Sequence, residues 1–171
     1  KYGTVDDRPY GGGTGMLMRV DVIHKALKHV SSPGKKNIIL TSPRGKVFNQ
    51  KMAQKFSKLD HLIIVAGHYE GVDERVIEYI DDEVSIGDYI LTGGEIAAAA
   101  ITDAVVRLIQ GVLKKSDAVT EETFSIKNKN LLEYPQYTRP EVYEGKKVPD
   151  VLLGGNHKDI EQWRLKMANQ I

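Results

Sequence analysis

The chain has 171 residues, of which 41% are hydrophobic and 27% are charged. This length predicts one full domain with its own core and part of a second. The charges nearly cancel to a net +1, so composition alone does not indicate a nucleic-acid binder, and any polyanion site must be a local patch. The absence of cysteine excludes disulfides and thiolate chemistry. No apolar run is long enough to cross a bilayer, and we expect a cytoplasmic protein.

The first half of the chain alternates between helical and strand patterns. Apolar residues at helical spacing predict an amphipathic helix over residues 20–30, and a second helix is predicted over residues 49–59. Strands are predicted over residues 37–41 and 62–66, the latter a β-branched run typical of a buried parallel strand. The predicted order is therefore helix, strand, helix, strand.

The pattern continues with a short helix over residues 72–80, whose early acidic residues suit the helix dipole. A third strand is predicted over residues 83–86. Residues 95–113 form a helical pattern that is apolar on nearly all sides, so we expect this helix to be buried on several faces.

Three turns rich in glycine and charge follow the predicted strands. Their sequences are TSPRG (residues 41–45), AGHYEGVDER (66–75) and SIGDYILTGGE (85–95). If the strands are parallel, the turns meet at their carboxyl ends, where open α/β sheets bind ligands. The sequence therefore predicts one cleft built mostly from backbone.

The composition changes to charged and polar residues between 114 and 130, with almost no apolar periodicity. This predicts a flexible linker between a domain of residues 1–113 and a second domain of residues 131–171. In the second domain, Asn156 and Asp159 indicate a helix start. Because the chain opens on Lys1 in a loop-like segment and stops inside a helical pattern, we expect segments to be missing at both ends.

Several single residues have both a functional and an ordinary interpretation. Arg107 lies in the long apolar helix, where a guanidinium must reach solvent, a carboxylate or a ligand. Glu121 and Glu122 lie in the polar linker, where acidic residues are normally just solvated. The glycines of residues 11–15 suit close approach to a phosphate or a base, or form a mobile tip. The five histidines lack metal-ligand spacing, so no zinc site is predicted.

Two familiar nucleotide sites are excluded. No Gly-Lys-Ser/Thr follows the glycine run, which excludes a nucleoside-triphosphate P-loop, and no Gly-x-Gly-x-x-Gly joins a first strand to a helix, which excludes the dinucleotide-binding fingerprint. A cleft of backbone groups without either motif points to a different ligand chemistry.

Five motifs in order resemble those of the bacterial tRNA (guanine-37-N1)-methyltransferases of the SPOUT superfamily. They are VDDRPYGGGTGM, SPRG, AGHYEGVDERV, SIGDYILTGGE and YPQYTRPEV, and together they span nearly the whole chain. The resemblance implies an α/β fold whose parallel sheet, flanked by helices, is tied in a trefoil knot. It also implies a small helical C-terminal domain that binds tRNA, and a homodimer with its active site at the subunit interface.

The same resemblance implies the reaction. A methyl group passes from S-adenosylmethionine to N1 of the guanine 3′ to the anticodon when a guanosine precedes that guanine. The resemblance also implies Mg²⁺ as a cofactor, whose ligands the sequence does not indicate. By motif matching, the cofactor contacts fall on Ser42, Pro43, Gly45, Gly67, Tyr69, Glu70, Gly71, Ile86, Gly87, Asp88, Tyr89, Ile90, Leu91 and Gly93.

Catalytic and substrate positions carry over in the same way. The family's catalytic aspartate precedes a phenylalanine by two positions, so Phe124 places the role on Glu122, with Glu121 as the alternative because glutamate departs from the pattern. The catalytic arginine falls on Arg107. Substrate contacts are implied for Asp6, Arg8, Gly15 and Arg139.

Two alternative functions stay open. One is another SPOUT RNA methyltransferase, which should lack VDDRPYGGG and YPQYTRP. The other is a catalytically silent RNA-binding module. Lysines and an arginine in and after the linker either hold the tRNA backbone or are ordinary solvated residues: Lys114, Lys115, Lys127, Lys129, Arg139, Lys146 and Lys147.

Overall fold

The computed structural model describes residues 3–30, 33–113 and 133–168. The chain forms two compact units, Lys1–Val112 and Leu113–Ile171. The predicted linker over residues 114–130 lies outside the described residues, and so do Glu121 and Glu122.

The first unit opens with a short antiparallel hairpin. Strand β1 (Asp6–Asp7) pairs with β2 (Leu17–Met18), and the glycine-rich loop lies between them. The hairpin is joined to the second predicted turn by three backbone hydrogen bonds: Met18 N–H donates to Gly71 O at 3.0 Å, Asp73 N–H donates to Met18 O at 3.0 Å, and Glu70 N–H donates to Met16 O at 3.2 Å. Helix α1 (Val20–Val30) follows.

The core of this unit is a three-stranded parallel sheet with strand order β4-β3-β5. Its strands are β3 (Lys36–Val47), β4 (His61–Ala66) and β5 (Asp82–Ser85). Helix α2 (Gln50–Phe56) connects β3 to β4, and helix α3 (Glu95–Val106) follows β5. The predicted parallel sheet is confirmed.

Helices cover both faces of the sheet because apolar side chains alternate along the strands. On one face, Ile39 and Val84 pack with residues of α2 and α3 such as Phe56 and Ile101. On the other face, Ile38 and the neighbouring strand residues Ile63 and Val65 pack with a cluster formed by Ile23, Leu27 and Val76. Burial on both faces explains why the strands read as continuous apolar runs.

Strand β3 extends beyond the predicted residues 37–41 and contains a large irregularity. Thr41 and Lys46 both pair with Val84, so the four residues between them leave the ladder and return to the same point. Gly45 is needed there, because a Cβ at this position would meet the backbone of β5, including Glu83 O at 2.7 Å. The predicted TSPRG turn is thus an excursion within a strand.

The segment predicted as a helix over residues 72–80 is a 3₁₀ helix, Glu74–Tyr79. Asp73 caps its start by accepting a hydrogen bond from Arg75 N–H at 3.0 Å. The predicted short helix is therefore present, two residues shorter at its start and one residue shorter at its end than predicted.

Helix α3 differs from its prediction in length and in burial. It ends at Val106 instead of residue 113, and tighter i to i−3 turns follow it. Only one stripe is buried, formed by Ala97, Ile101 and Val105. Ile96 is 65% exposed, so the expectation of burial on several faces is wrong for this chain taken alone.

The second unit contains a tight hairpin and two helices. Strand β6 (Val142–Tyr143) pairs with β7 (Lys146–Lys147), and the two-residue loop has positive φ at Glu144 and Gly145, as type I′ hairpins require. Helix α4 (Asp150–Leu153) precedes α5 (His157–Ala168). The predicted start of α5 is confirmed: Lys158 N–H donates to Asn156 Oδ1 at 3.2 Å.

Within the part of the chain that the structure describes, no helix has the length and apolar character needed to span a membrane.

Candidate functional site

The three predicted turns meet in one cavity of about 320 Å³ at the carboxyl ends of the parallel strands. Twelve of the predicted cofactor residues line it: Ser42, Pro43, Gly67, Tyr69, Glu70, Gly71, Ile86, Gly87, Tyr89, Ile90, Leu91 and Gly93. The two others do not. Gly45 packs against the β5 backbone, and Asp88 lies outside the lining.

Sequence reasoning missed six lining residues: Thr41, His68, Val84, Ser85, Gly94 and Ala97. Five of them belong to the predicted strand ends and turns, so the segments were identified but these individual residues were not. Ala97 lies in α3, where a small residue in an apolar run carries no sign of a ligand.

At the cavity, the backbone of the third turn passes close to the backbone at the end of β4. Gly94 N–H donates to Gly67 O at 2.7 Å, which ties the third turn to the end of β4. A Cβ at Gly94 would lie 2.9 Å from Gly67 N, so a larger residue would separate the two segments. Ser85 closes the third turn, since its hydroxyl accepts from Gly87 N–H and donates to Gly87 O, both at 3.1 Å.

Tyr69 is the one lining residue other than glycine, among those described, that has a positive φ, at 58°. This left-handed conformation is unfavourable for a residue with a side chain and is concentrated at functional sites. The tyrosine is 60% exposed, and its ring lies edge-on to the His68 imidazole with centroids 4.6 Å apart.

Two acidic residues lie at or beside the cavity. Glu70 belongs to the lining. Glu95 lies at the start of α3, where its own backbone N–H and then His68 lower the pKa of its carboxyl. A site with negative charge at its wall suits a ligand that carries positive charge.

Charged pairs also join the turns to their surroundings. Arg44, in the β3 excursion, donates to Glu74 at 2.7 Å. Arg75 holds Asp73 through two nitrogens, at 2.9 and 2.7 Å, and lowers the pKa of that carboxyl. These pairs orient the second turn from its outer side.

The predicted substrate residues of the first unit belong to the hairpin. Asp6 lies in β1 opposite Met18, and Arg8 is exposed just beyond it. Gly15 has a φ of 82°, and a Cβ there would meet the Glu70 carboxylate, with Oε1 at 2.7 Å. The glycine-rich loop therefore reaches the cavity wall at Gly15.

The other predicted residues are Arg107, Glu121, Glu122 and Arg139. Arg107 is the C-cap residue directly after α3 and is half-buried, so its predicted place inside the helix is corrected by one position. Glu122 and Glu121 lie outside the described residues. Arg139 is exposed in the second unit, beside a pocket that Tyr137 and Leu152 also line. Among the described residues, no group of three or more histidines and carboxylates could hold a metal ion.

The chain matches a described family over residues 1–170, that of the tRNA (Guanine-1)-methyltransferase TrmD. It belongs to this family. The resemblance of the five motifs is thereby confirmed.

Individual relatives give the same result, and each is named tRNA (guanine-N(1)-)-methyltransferase. The protein of Dictyoglomus turgidum is 55% identical over 98% of this chain and 67% of its own length. The protein of Clostridium botulinum (strain Kyoto / Type A2) is 52% identical over 96% of this chain and 67% of its own. That of Caldanaerobacter subterraneus subsp. tengcongensis is 52% identical over 100% of this chain and 70% of its own. The chain thus spans about two thirds of these tRNA (guanine-N1)-methyltransferases.

Proposed function

We propose that this chain transfers a methyl group from S-adenosylmethionine to N1 of the tRNA guanine that lies 3′ to the anticodon and follows a guanosine. The observation that carries the proposal is the cavity at the strand ends, built from three turns, in a chain that belongs to the tRNA (guanine-N1)-methyltransferase family.

The cavity fits the methyl donor in size and chemistry. Its volume of about 320 Å³ lies at the lower end of small-molecule sites. Backbone groups of Gly67, Gly87 and Gly93 suit recognition of adenine and ribose, and the Glu70 carboxylate suits a cation. When bound, S-adenosylmethionine supplies an electrophilic methyl group on a positively charged sulfur.

Methylation at N1 requires the enzyme to remove a proton, because the guanine ring nitrogen carries one and is then a poor nucleophile. We assign this role to Glu122. Negative charge then spreads to the guanine oxygen, and the guanidinium of Arg107 stabilises it. Orientation of the guanine against the methyl donor contributes much of the remaining acceleration.

We assign no step to Mg²⁺. Family resemblance implies it, but the described residues contain no cluster of three metal-ligating side chains. If the ion takes part, tRNA oxygens supply ligands, which is the usual mode for Mg²⁺.

A second copy of the chain completes the proposed enzyme. Ile90 is 80% exposed beside the cavity, and Ile96 on α3 is 65% exposed. Further exposed apolar residues follow along the chain at Val106, Ile109 and Val112. An apolar surface of this kind marks an interaction site, and a homodimer would cover it and place both copies at the active site.

The remaining parts of the proposal concern the fold and location. The proposed fold contains a trefoil knot at the cavity, which membership of the family supports. The second unit, with exposed Tyr143 in β6 and exposed Lys146 and Lys147 in β7, is proposed to bind tRNA in the cytoplasm.

The test is transfer of labelled methyl from S-adenosylmethionine to unmodified tRNA transcripts. We expect transfer to a transcript with guanosine at both the target and the preceding position, and loss of transfer when either is replaced. Methylation that ignores the preceding nucleotide would favour another RNA methyltransferase. Binding of tRNA without any transfer would favour a silent RNA-binding module.

Two glutamine variants decide which glutamate is the base. Glu122→Gln should lower the rate of methyl transfer by about two to four decades, since general-base contributions have that size. Glu121→Gln is the matched control, adjacent and of the same chemistry, and should retain most activity. The opposite ranking would move the assignment to Glu121.

A further inference from the structure

Two contacts join the second turn to the third beside the cavity. One is an isolated antiparallel bridge between His68 and Gly93, in which Gly94 N–H donates to Gly67 O at 2.7 Å. The other joins His68 Nδ1 to Glu95 Oε1 at 2.8 Å. The first involves backbone alone, whereas the second depends on the identity of both side chains.

The His68–Glu95 contact has a defined direction. Interactions with its own backbone N–H and with His68 lower the pKa of Glu95, so at neutral pH this group is a carboxylate that only accepts hydrogen bonds. His68 Nδ1 must therefore carry the proton and donate. In the neutral ring, Nε2 is then the acceptor.

Gly93 leaves room for this contact. A Cβ at position 93 would lie 2.9 Å from His68 Nδ1 and would also meet the Glu95 carboxylate. Glycine at this position therefore serves the His68–Glu95 hydrogen bond as well as the cavity.

The imidazole of His68 in turn supports Tyr69. The two rings are nearly perpendicular, at 88°, with centroids 4.6 Å apart, an arrangement that aromatic rings favour. Tyr69 lines the cavity in a left-handed conformation, which is unfavourable for a residue with a side chain and persists only where neighbours maintain it.

We propose that His68 and Glu95 form a latch that positions Tyr69 and the second turn for binding of the methyl donor. Both are positioning residues, since they act through Tyr69 and through the turn. This inference rests on the proposed function, in which the cavity binds S-adenosylmethionine.

The exposure of the pair predicts where its effect appears. The side chains of His68 and Glu95 are 48% and 60% exposed, and an exposed pair contributes little to global stability. A ligand that covers the cavity removes water from the pair and strengthens its hydrogen bond. The latch should therefore affect ligand affinity more than folding.

The test is calorimetric binding of S-adenosylhomocysteine, with methyl-transfer kinetics alongside. His68→Ala and Glu95→Ala should each raise the Kd for S-adenosylhomocysteine and the KM for S-adenosylmethionine by about three- to tenfold. This is the change in affinity expected from the loss of one hydrogen bond. The kcat should change by less than about twofold, because both residues contribute equally to binding of the methyl donor in the ground state and in the transition state. Glu95→Gln keeps the acceptor oxygen and should restore most of the affinity.

The double variant and a matched control complete the design. His68→Ala with Glu95→Ala should bind no more weakly than either single variant, because the two side chains act as one unit. Asp21→Ala removes an ion pair of similar exposure, in which the Asp21 carboxylate on α1 lies 3.0 Å from the guanidinium of Arg19. This variant should leave the Kd unchanged.

Outcomes that overturn the latch are distinct from those that overturn the proposed function. Alanine variants that bind like the wild type, or whose effects add in the double variant, would overturn the latch alone. A Glu95→Gln variant as weak as Glu95→Ala would also overturn it. A wild-type chain that binds no S-adenosylhomocysteine would overturn the proposed function itself.

Discussion

Arg107, the proposed catalytic arginine, lies at the end of an apolar helix. It directly follows the last turn of α3, whose residues Ile101 and Val105 are buried in the core. A rigid, packed helix end is a suitable support for a group that must act with sub-ångström accuracy. Arg107 is half-buried, and it is the residue to which the family resemblance assigns the role of catalytic arginine.

Replacement of this arginine gives the residue-scale prediction. Arg107→Ala should lower kcat for methyl transfer by about two to three decades, the usual loss for one transition-state donor, with nearly unchanged calorimetric affinity for S-adenosylhomocysteine. Lys58→Ala, which removes a positive charge at an exposed site before β4, is the control. Normal turnover in Arg107→Ala would remove this residue from the mechanism.

Asp73 gives a prediction for pH dependence. Hydrogen bonds from the Arg75 side chain and backbone hold the pKa of Asp73 below its ordinary value. A depressed pKa in the folded state stabilises the fold above the unfolded-state value, about 3.9 for aspartate, and this contribution is lost as pH falls through the folded-state pKa. For a pair with an exposed partner, we expect a contribution of no more than about 1 kcal/mol.

Urea unfolding of the wild type and Asp73→Asn measures this contribution. Asparagine keeps an oxygen that caps the 3₁₀ helix but lacks the charge. The difference in free energy of unfolding should therefore be largest near neutral pH and should shrink below about pH 4. A difference that stays constant with pH would show that charge has no part in it.

At the scale of elements, the excursion in β3 depends on one glycine. Gly45 passes so close to β5 that a Cβ would meet backbone atoms of Glu83 and Val84, which cannot rotate away. Gly45→Ala should lower the free energy of unfolding by about 1–3 kcal/mol, as other overpacked sites do. Urea denaturation measures the change.

Gly67→Ala is the matched control for that substitution. A Cβ at Gly67 would lie in ordinary contact, 3.6 Å from Val72 Cγ1, so its effect on stability should be much smaller. Equal stability losses in the two variants would contradict the proposed tight passage of β3 against β5.

Elements differ in how far the sequence predicts them. β4 was predicted to within one residue because its half-buried apolar run packs against both clusters and is recognisable from local sequence alone. The end of α3 was not, because apolar residues continue to Val112 although the helix ends at Val106. Periodicity does not distinguish a continuing helix from tight turns that keep the same apolar residues.

The candidate site shows the same limit. The three turns are visible in the sequence because glycine and charge cluster there, and matching of the family's motifs on them gave twelve of the lining residues. The separate role of Gly45 was not visible, because it depends on β5, which is distant along the chain. Nor was the contact between His68 and Glu95, two residues that each resemble an ordinary surface group.

At the scale of the whole molecule, the exposed apolar residues after the cavity predict self-association. Ile96→Asp places a charge on the exposed face of α3 and should shift the chain from dimer to monomer in light scattering, because an unpaired charge in an apolar interface is costly. Val30→Asp, at another exposed apolar residue (46%) at the end of α1, should leave the mass unchanged. A wild-type chain that is monomeric at all concentrations would contradict the proposed dimer.

The central claim is that three turns at the carboxyl ends of the parallel strands form the site for the methyl donor. A crystal structure with S-adenosylhomocysteine tests it most directly. We expect the ligand in the cavity, in contact with backbone of residues 67–71 and 86–91, with Tyr69 beside it. A ligand bound elsewhere, with these turns making no contact to it, would contradict the account.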